Sequence, residues 1–203
     1  MDRKAHWETI YTTKAPTDVS WFQASPDLSL ELIAATGAGK NARIIDVGGG
    51  ASVLVDQLLD AGCTRVTVLD ISATALRHAK ERLGPRAERV TWIEADVTAG
   101  TLAGTFDVWH DRAVFHFLTD PEDRARYLDA VDRAVPTGGH VIIAAFAPEG
   151  PPRCSGLEVR RYSSEALREE LGERFELVDT RRELHTTPAH AQQAFLYARF
   201  RKR

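Results

Sequence analysis

The chain has 203 residues, enough for one full hydrophobic core without disulfide or metal staples. At 43% hydrophobic and 27% charged it has the composition of an ordinary soluble globular protein, which excludes collagen-like, coiled-coil and largely disordered chains. With 29 acidic against 26 basic residues the formal charge is −3, without the basic excess of a dedicated nucleic-acid binder.

Residues 1–24 carry Trp7, Tyr11, Trp21 and Phe22 ahead of a helix expected from about Pro26. The N-terminus has no apolar stretch of the secretory kind, and the apolar run 141–147 is far too short to span a bilayer, so no membrane partner is expected. Cys63 and Cys154 cannot build a disulfide framework, and no Cys/His array has metal-ligand spacing. The compartment expected is a reducing cytoplasm.

From residue 42 the pattern alternates. Residues 42–47 are a short apolar run ending in glycines, as in a buried parallel strand. Residues 52–61 have helical apolar spacing closed by Gly62, and 65–69 read as the second strand. Ser72 caps a helix that runs to the Gly84-Pro85 breaker. Residues 90–97 and 106–110 read as the third and fourth strands. Asp120-Pro121 opens a helix that Pro136 and Gly138-Gly139 end, and 140–147 is the fifth strand. This order predicts a parallel sheet with helices on both faces.

The remainder changes character. Residues 148–156 form a Pro/Gly-rich loop expected at the rim of a site. Ser163 or Ser164 caps a helix to Leu171, and 175–179 and 194–200 read as late strands closing the sheet edge as an antiparallel hairpin with a long connection.

The chemistry concentrates in Asp46-Val47-Gly48-Gly49-Gly50-Ala51-Ser52. Glycines where a strand turns into a helix let the backbone bend tightly and approach a ligand. Asp70, closing the second strand, is placed to accept hydrogen bonds from two ribose hydroxyls. Asp96 is placed to accept an adenine amino proton, with Val97 packing on the ring. There is no GxxxxGK[ST] phosphate loop, and Asp46 at the turn opposes a pyrophosphate while suiting a cationic ligand. The sign of the charge favours S-adenosylmethionine, which carries a sulfonium, an ammonium and no phosphate, over NAD.

On these motifs, with Asp70-Ile71, Ala95-Asp96-Val97 and Phe106-Asp107-Val108-Trp109-His110-Asp111, residues 42–146 resemble the core of the class I S-adenosylmethionine-dependent methyltransferases. The resemblance implies an α/β, Rossmann-like, doubly wound seven-stranded sheet, mostly parallel with an antiparallel C-terminal hairpin strand. It divides one domain into an N-terminal lid and helix (1–36), a cofactor-binding core (42–147), and a substrate-side loop, helix and hairpin (148–203). It implies S-adenosyl-L-methionine as cofactor and S-adenosyl-L-homocysteine as product, without a metal. Gly48 and Gly50 would border the methionine part, Asp70 and Ile71 the ribose, and Asp96 and Val97 the adenine. Ser52 replaces the usual third glycine and can hydrogen-bond the ligand carboxylate.

Methyl transfer asks the protein to align donor and acceptor and exclude water. His110 is the candidate base, Asp111 a group to orient the acceptor or the donor's ammonium, and Arg112 a grip for an acidic acceptor group. The plainer reading of Asp111 is a cap for the following turn, paired with Arg112. Trp7, Tyr11, Trp21 and Phe22 are either packing residues or aromatic faces over the sulfonium and acceptor. His116 and Cys154 are the further candidates for substrate contact, each with an inert interior role as the alternative. Gln23 can hydrogen-bond the donor, and His185, Pro188 and His190 lie where a connection can reach the pocket.

The N-terminal aromatic pattern is similar to that of lysine methyltransferases with a Trp/Tyr lid. The stretch Trp109–Ala113 and Gly150-Pro151-Pro152 are similar to thiopurine and thiol methyltransferases. The expected function is methyl transfer to a small molecule, a thiol or other soft nucleophile first, by a monomer or homodimer. The alternatives are a protein-lysine methyltransferase and a non-catalytic S-adenosylmethionine sensor.

Overall fold

The computed structural model describes residues 2–100 and 102–203. Helix α1 (Arg3–Thr13) starts at Asp2, whose side chain accepts from the Ala5 amide, and α2 (Asp27–Ala34) follows Pro26. The alternating region then gives β1 (Arg43–Val47), α3 (Leu54–Asp60), β2 (Arg65–Asp70), α4 (Ala73–Leu83), β3 (Val90–Glu94), β4 (Val108–Arg112), α5 (Pro121–Ala134) and β5 (His140–Phe146). A two-strand ribbon, β6 (Arg153–Cys154) and β7 (Leu157–Glu158), precedes α6 (Ser164–Leu171), β8 (Phe175–Thr186) and β9 (Gln192–Lys202).

The seven-stranded sheet has the order β3-β2-β1-β4-β5-β9-β8, and β9 alone runs against its neighbours. The chain leaves β1 toward β2 and later returns to β4 on β1's other side. The β1–β4 boundary is therefore the switch point, where the carboxyl ends of the strands open a crevice.

Both faces are covered. Ile45, Val47, Trp109 and Ile143 pack with Tyr127 and Val131 of α5. On the other face Ile44, Val68, Val108 and Ile142 pack with Leu54, Leu58 and Leu76 of α3 and α4. Every residue of β5 is buried, as a strand enclosed on both sides requires.

Four details differ from the sequence reading. Helix α1 was not expected within 1–24. Strand β3 stops at Glu94 because Asp96 turns the chain, its Oδ1 accepting from the Thr98 amide at 2.8 Å and hydroxyl at 2.7 Å. Strand β4 starts two residues late, because Asp107 is held by Arg43: the Arg43 amide and Nε donate to its Oδ2 at 2.8 and 3.1 Å. Finally, β8 and β9 run far beyond 175–179 and 194–200, leaving a short connection at 187–191. The polar residues of β8 hid this, since β8 is the sheet's edge strand and carries charge on its open side.

Candidate active site

At the carboxyl ends of β1, β2 and β4 the chain makes a cleft roofed by α1 and the segment after it. One cavity of about 770 Å³ is bounded by the ends of β2 and β3, the loop after β4 and α1; a second of about 560 Å³ lies over the glycine turn and α2. Four residues, Tyr11, Trp21, Gly48 and Arg112, wall both cavities and so mark their junction.

The glycine turn is built for close approach. Gly48 and Gly50 have φ of 69° and 44°, the left-handed region that side chains avoid. A Cβ on Gly48 would lie 2.0 Å from Val114 Cγ2, and one on Gly50 would lie 2.8 Å from Asp70 Oδ2 and 3.0 Å from the Tyr11 hydroxyl. The bare backbone thus lets the loop after β4, the end of β2 and α1 converge. Gly48 faces both cavities, while Gly50 faces neither. Ser52 lines the second cavity, and its hydroxyl accepts from the Leu54 amide at 3.1 Å, steadying the start of α3.

Asp70 is buried at the end of β2. Its Oδ1 accepts from the Ser72 amide at 2.8 Å, which directs Oδ2 toward the Gly50 side. Burial pushes its carboxyl up to about 7, opposed by the Ser72 amide and reinforced by Asp46 and Glu8. Ile71, Asp96 and Val97 line the same cavity. Asp96 Oδ2 stands 3.8 Å from an Arg3 guanidinium nitrogen.

Side chains alternate along β4, and this sorts its three polar candidates. His110 faces α2: its Nδ1 lies 2.8 Å from Asp46 Oδ1 and its Nε2 2.9 Å from Ser29 Oγ. His110 is 2% exposed, with both ring nitrogens engaged, and lines the second cavity beside Asp46, which it positions.

Asp111 points to the opposite face and is wholly buried. It accepts from the Tyr127 hydroxyl at 2.6 Å and from the Val114 and Phe115 amides at 2.9 and 3.1 Å. It lines neither cavity, so the catalytic and donor-binding roles expected of it give way to its plainer role as a cap, bonding Tyr127 rather than Arg112. Burial raises its carboxyl to about 6 in spite of the Tyr127 hydroxyl. Ala113, next in the chain after Arg112, adopts a φ of 71° and turns the backbone back over the cleft.

Arg112 emerges at the junction. Its Nε donates to the Tyr197 hydroxyl at 2.8 Å and its Nη1 to the Trp21 carbonyl at 2.9 Å, with Glu183 at 3.6 Å and the Phe195 ring beneath it at 4.5 Å. Gln23 donates to Glu183 at 2.7 Å, so the lid segment, β4 and the β8–β9 hairpin meet in one polar network.

Around the junction Trp7 stands edge-on to Trp21 and to Phe117, with centroids 5.7 and 5.0 Å apart, and Tyr11 stands edge-on to Trp21 at 6.1 Å. Phe22 lines the second cavity. Cys154, brought in by the β6–β7 ribbon, lines the first beside Trp21; burial pushes its thiol up, so it stays protonated. His116 does not reach the cleft. It has 0% exposure, burial and Arg112 push it down to about 3, and its Nδ1 accepts from the Phe146 amide at 3.3 Å, so the expected substrate contact is replaced by an interior role. His185 donates to the Ser20 carbonyl at 2.8 Å and, with Pro188, lines an outer pocket rather than either cavity. Among the described residues no cluster of His, Cys, Asp and Glu side chains is arranged to hold a metal, and no helix is long and apolar enough to cross a membrane.

Arg3, Glu8, Phe117 and Glu183 are part of this architecture and were missed in the sequence. Arg3 carried a usable signal: Arg3, Trp7 and Tyr11 recur every fourth residue, which places them on one helix face.

A protein-family model described as a methyltransferase domain matches residues 44–139. The eEF1A lysine and N-terminal methyltransferase of Danio rerio is 32% identical over 111 residues, 53% of this chain and 16% of that protein. Its counterpart in Mus musculus is 27% identical over 149 residues, 70% of this chain and 21% of that protein. The chain thus spans about a sixth to a fifth of the length of these curated relatives. Among solved structures, one concerned with converting a disulfide bond into a thioacetal group during echinomycin biosynthesis superposes with a TM-score of 0.78 at 19% identity, covering 98% of this chain and 92% of that one. The N-methyltransferase NodS of Bradyrhizobium japonicum in complex with S-adenosyl-L-homocysteine gives 0.72 at 18% identity, covering 96% and 97%. At these identities the likeness is one of fold.

Proposed function

We propose that the chain, whose residues 44–139 match a methyltransferase-domain model, is a class I S-adenosylmethionine-dependent methyltransferase that methylates a small molecule at a thiol or other soft nucleophile. The observation that carries the reading is the composition of the junction. Tyr11, Trp21, Gly48 and Arg112 include aromatic faces and a cation but no histidine, carboxylate or amine to take a proton. The titratable groups Asp46, Asp70, Asp96 and His110 line the cavities away from the junction, which suits an acceptor that is nucleophilic by itself, as a thiolate or a thioether is.

The residues of the cleft fit the donor. Asp70 Oδ2 faces a turn whose bare glycines leave no side chain in the way, and a buried carboxylate there suits ribose hydroxyls. Ile71, Val97 and Leu118 supply apolar walls for adenine, and Asp96 a carboxylate at their edge. Asp46, held by His110 beneath the second cavity, supplies negative charge for the amino-acid end, and Ser52 a hydroxyl. Bound there, S-adenosylmethionine supplies a methyl carbon activated by positive sulfur. Trp7, Tyr11 and Trp21 shield that region from water, and their ring faces attract a cation. Arg112 offers positive charge to an anionic acceptor, and burial and Asp70 hold the Tyr11 phenol protonated.

A second reading, methylation of a protein lysine or N-terminus, is favoured by what the curated relatives act on. Incubating the chain with methyl-labelled donor, a panel of small thiols, amines and phenols, and a cell lysate separates the two. Release of S-adenosylhomocysteine with small thiols supports the proposal. Label confined to a protein band replaces it with the second reading, and tight donor binding without turnover in any arm leaves a sensor.

A further inference from the structure

An unpaired charge lies at the other end of the sheet. Arg199 on β9 is only 9% exposed, and its Nε is sealed from solvent with no hydrogen-bond partner. Among the described residues it has no acidic group within ion-pair distance. Only Nε is sealed in this way, and the guanidinium borders an open cavity in which it has no counter-charge. The nearby acids are already committed. Asp179 faces Arg199 across the β8–β9 ladder but bonds Arg181, Glu176 faces Arg201 but stands 4.0 Å from Arg203, and Asp107, which also lines the cavity described next, holds Arg43.

Two more basic groups share the same face. Arg201 lies two residues on, directly across the ladder from His140, the first residue of β5. Arg201 also has no acidic partner among the described residues, and its Nη2 lies 3.8 Å from where a side chain on Gly138 would begin. His140 is 8% exposed, with its Nδ1 buried and unpartnered. Burial, then Arg199, then Arg201 push its imidazole below the usual histidine range. All three border one open cavity of about 980 Å³, with Thr36 and Thr137 on its walls.

We propose that this cavity is a second ligand site, separate from the methyl-transfer cleft, in which Arg199 and Arg201, beside His140, bind a phosphate group. Two guanidinium forks match a tetrahedral dianion in charge and geometry, whereas a single carboxylate would neutralise only one of them. Occupancy would supply the counter-charge that Arg199 lacks.

The test is a titration of the full chain with inorganic phosphate at ionic strength held constant with chloride, followed by the His140 imidazole signals in NMR. The expected result is a saturable His140 shift with a dissociation constant below about 1 mM, weakened at least about tenfold in Arg199→Gln and in Arg201→Gln. Arg201 is exposed, so its variant tests the site without endangering the fold. In parallel, Arg199→Met should melt above the parent in chloride and lose the rise in melting temperature that phosphate gives the parent. A ribose 5-phosphate arm identifies the source: tighter binding than free phosphate marks a phosphorylated small molecule, and equal binding marks the ion itself. A His140 shift that stays linear in phosphate, or an Arg201→Gln variant that titrates like the parent, means an adventitious ion only and overturns the proposal.

Discussion

His110 and Asp46 stand side by side on adjoining strands with Nδ1 and Oδ1 2.8 Å apart, and neither is exposed beyond 3%. The pair is a support beneath the glycine turn. In His110→Ala, Asp46 and Ser29 lose a buried partner, which should cost about 1–3 kcal/mol of stability and weaken donor binding. At saturating donor the pH profile of kcat should keep its shape. Urea denaturation, donor calorimetry and the rate profile measure the three effects. Loss of the acidic limb, the rise in rate as a base deprotonates, would return His110 to the role of proton acceptor.

Asp70 sets a pH dependence of donor affinity. Its folded carboxyl titrates near 7, above the ordinary 3.8, so the charged form that accepts from hydroxyls is fully present only above about pH 7. Donor dissociation constants should be flat above that point and rise by up to about tenfold per pH unit below it. Asp70→Asn should flatten the curve and cost about 1.5–3 kcal/mol of binding at pH 8, where the charge-assisted bonds are lost. The same substitution removes a buried charge, so the ligand-free variant should melt higher than the parent above pH 7. A parent curve with no bend between pH 6 and 8 would show that the charge state of Asp70 does not govern binding.

The parts of this architecture that were legible are those set by local chemistry. Ser72, Asp120 and Ser163 cap their helices as expected, because a short polar side chain before an apolar-periodic stretch satisfies free amides. The glycine turn and Asp70 were legible because a buried strand ending in glycines has few other uses. What was hidden depends on pairing across the sheet. Whether His110 or Asp111 faces the cleft is decided by the register of β4 against β1 and by Tyr127 of α5, far away in the chain. His116 likewise looks like a pocket residue until Phe146 and Phe195 close over it. The charged C-terminal residues concealed strand length, since an edge strand does not need apolar residues on its open side.

Tyr127 links Trp109 and Asp111, accepting from the indole at 2.9 Å and donating to the carboxylate at 2.6 Å. Tyr127→Phe leaves both groups buried without this partner and should destabilise the fold by about 1–3 kcal/mol. Asp111 already titrates near 6 when folded, so its burial costs nothing below the unfolded value of 3.8 and costs fully above about pH 6. Removing the hydroxyl withdraws a bond that favours the charged form, so the loss should be larger at pH 8 than at pH 5. Chemical denaturation at the two pH values checks the sign. Equal losses would mean that the phenol acts through packing alone.

Glu8 docks the lid. From α1 its carboxylate accepts from the Ala73 amide at 2.6 Å, one of the free donors that open α4, while His78 of α4 donates to the Tyr11 carbonyl at 3.1 Å. Burial would raise its carboxyl, but the donors of Thr74 and Ala73 outweigh that and hold it below the ordinary 4.5, as expected for a carboxylate at a helix N-terminus. This docking is therefore complete above pH 4.5 and is lost as pH falls through the lowered value. Glu8→Ala should release α1 by about 1 kcal/mol, a cap's worth, without unfolding the sheet, which has no strand in α1. Hydrogen exchange should quicken in residues 3–13, and donor binding should weaken because Trp7 and Tyr11 spend less time as walls of the cleft. Since Arg3 separately ties the same helix to Asp123 at 2.8 Å, the double variant Arg3→Ala/Glu8→Ala should lose more donor affinity than either single change. Protection of residues 3–13 equal to the parent's in Glu8→Ala would show that the aromatic contacts hold the helix down by themselves.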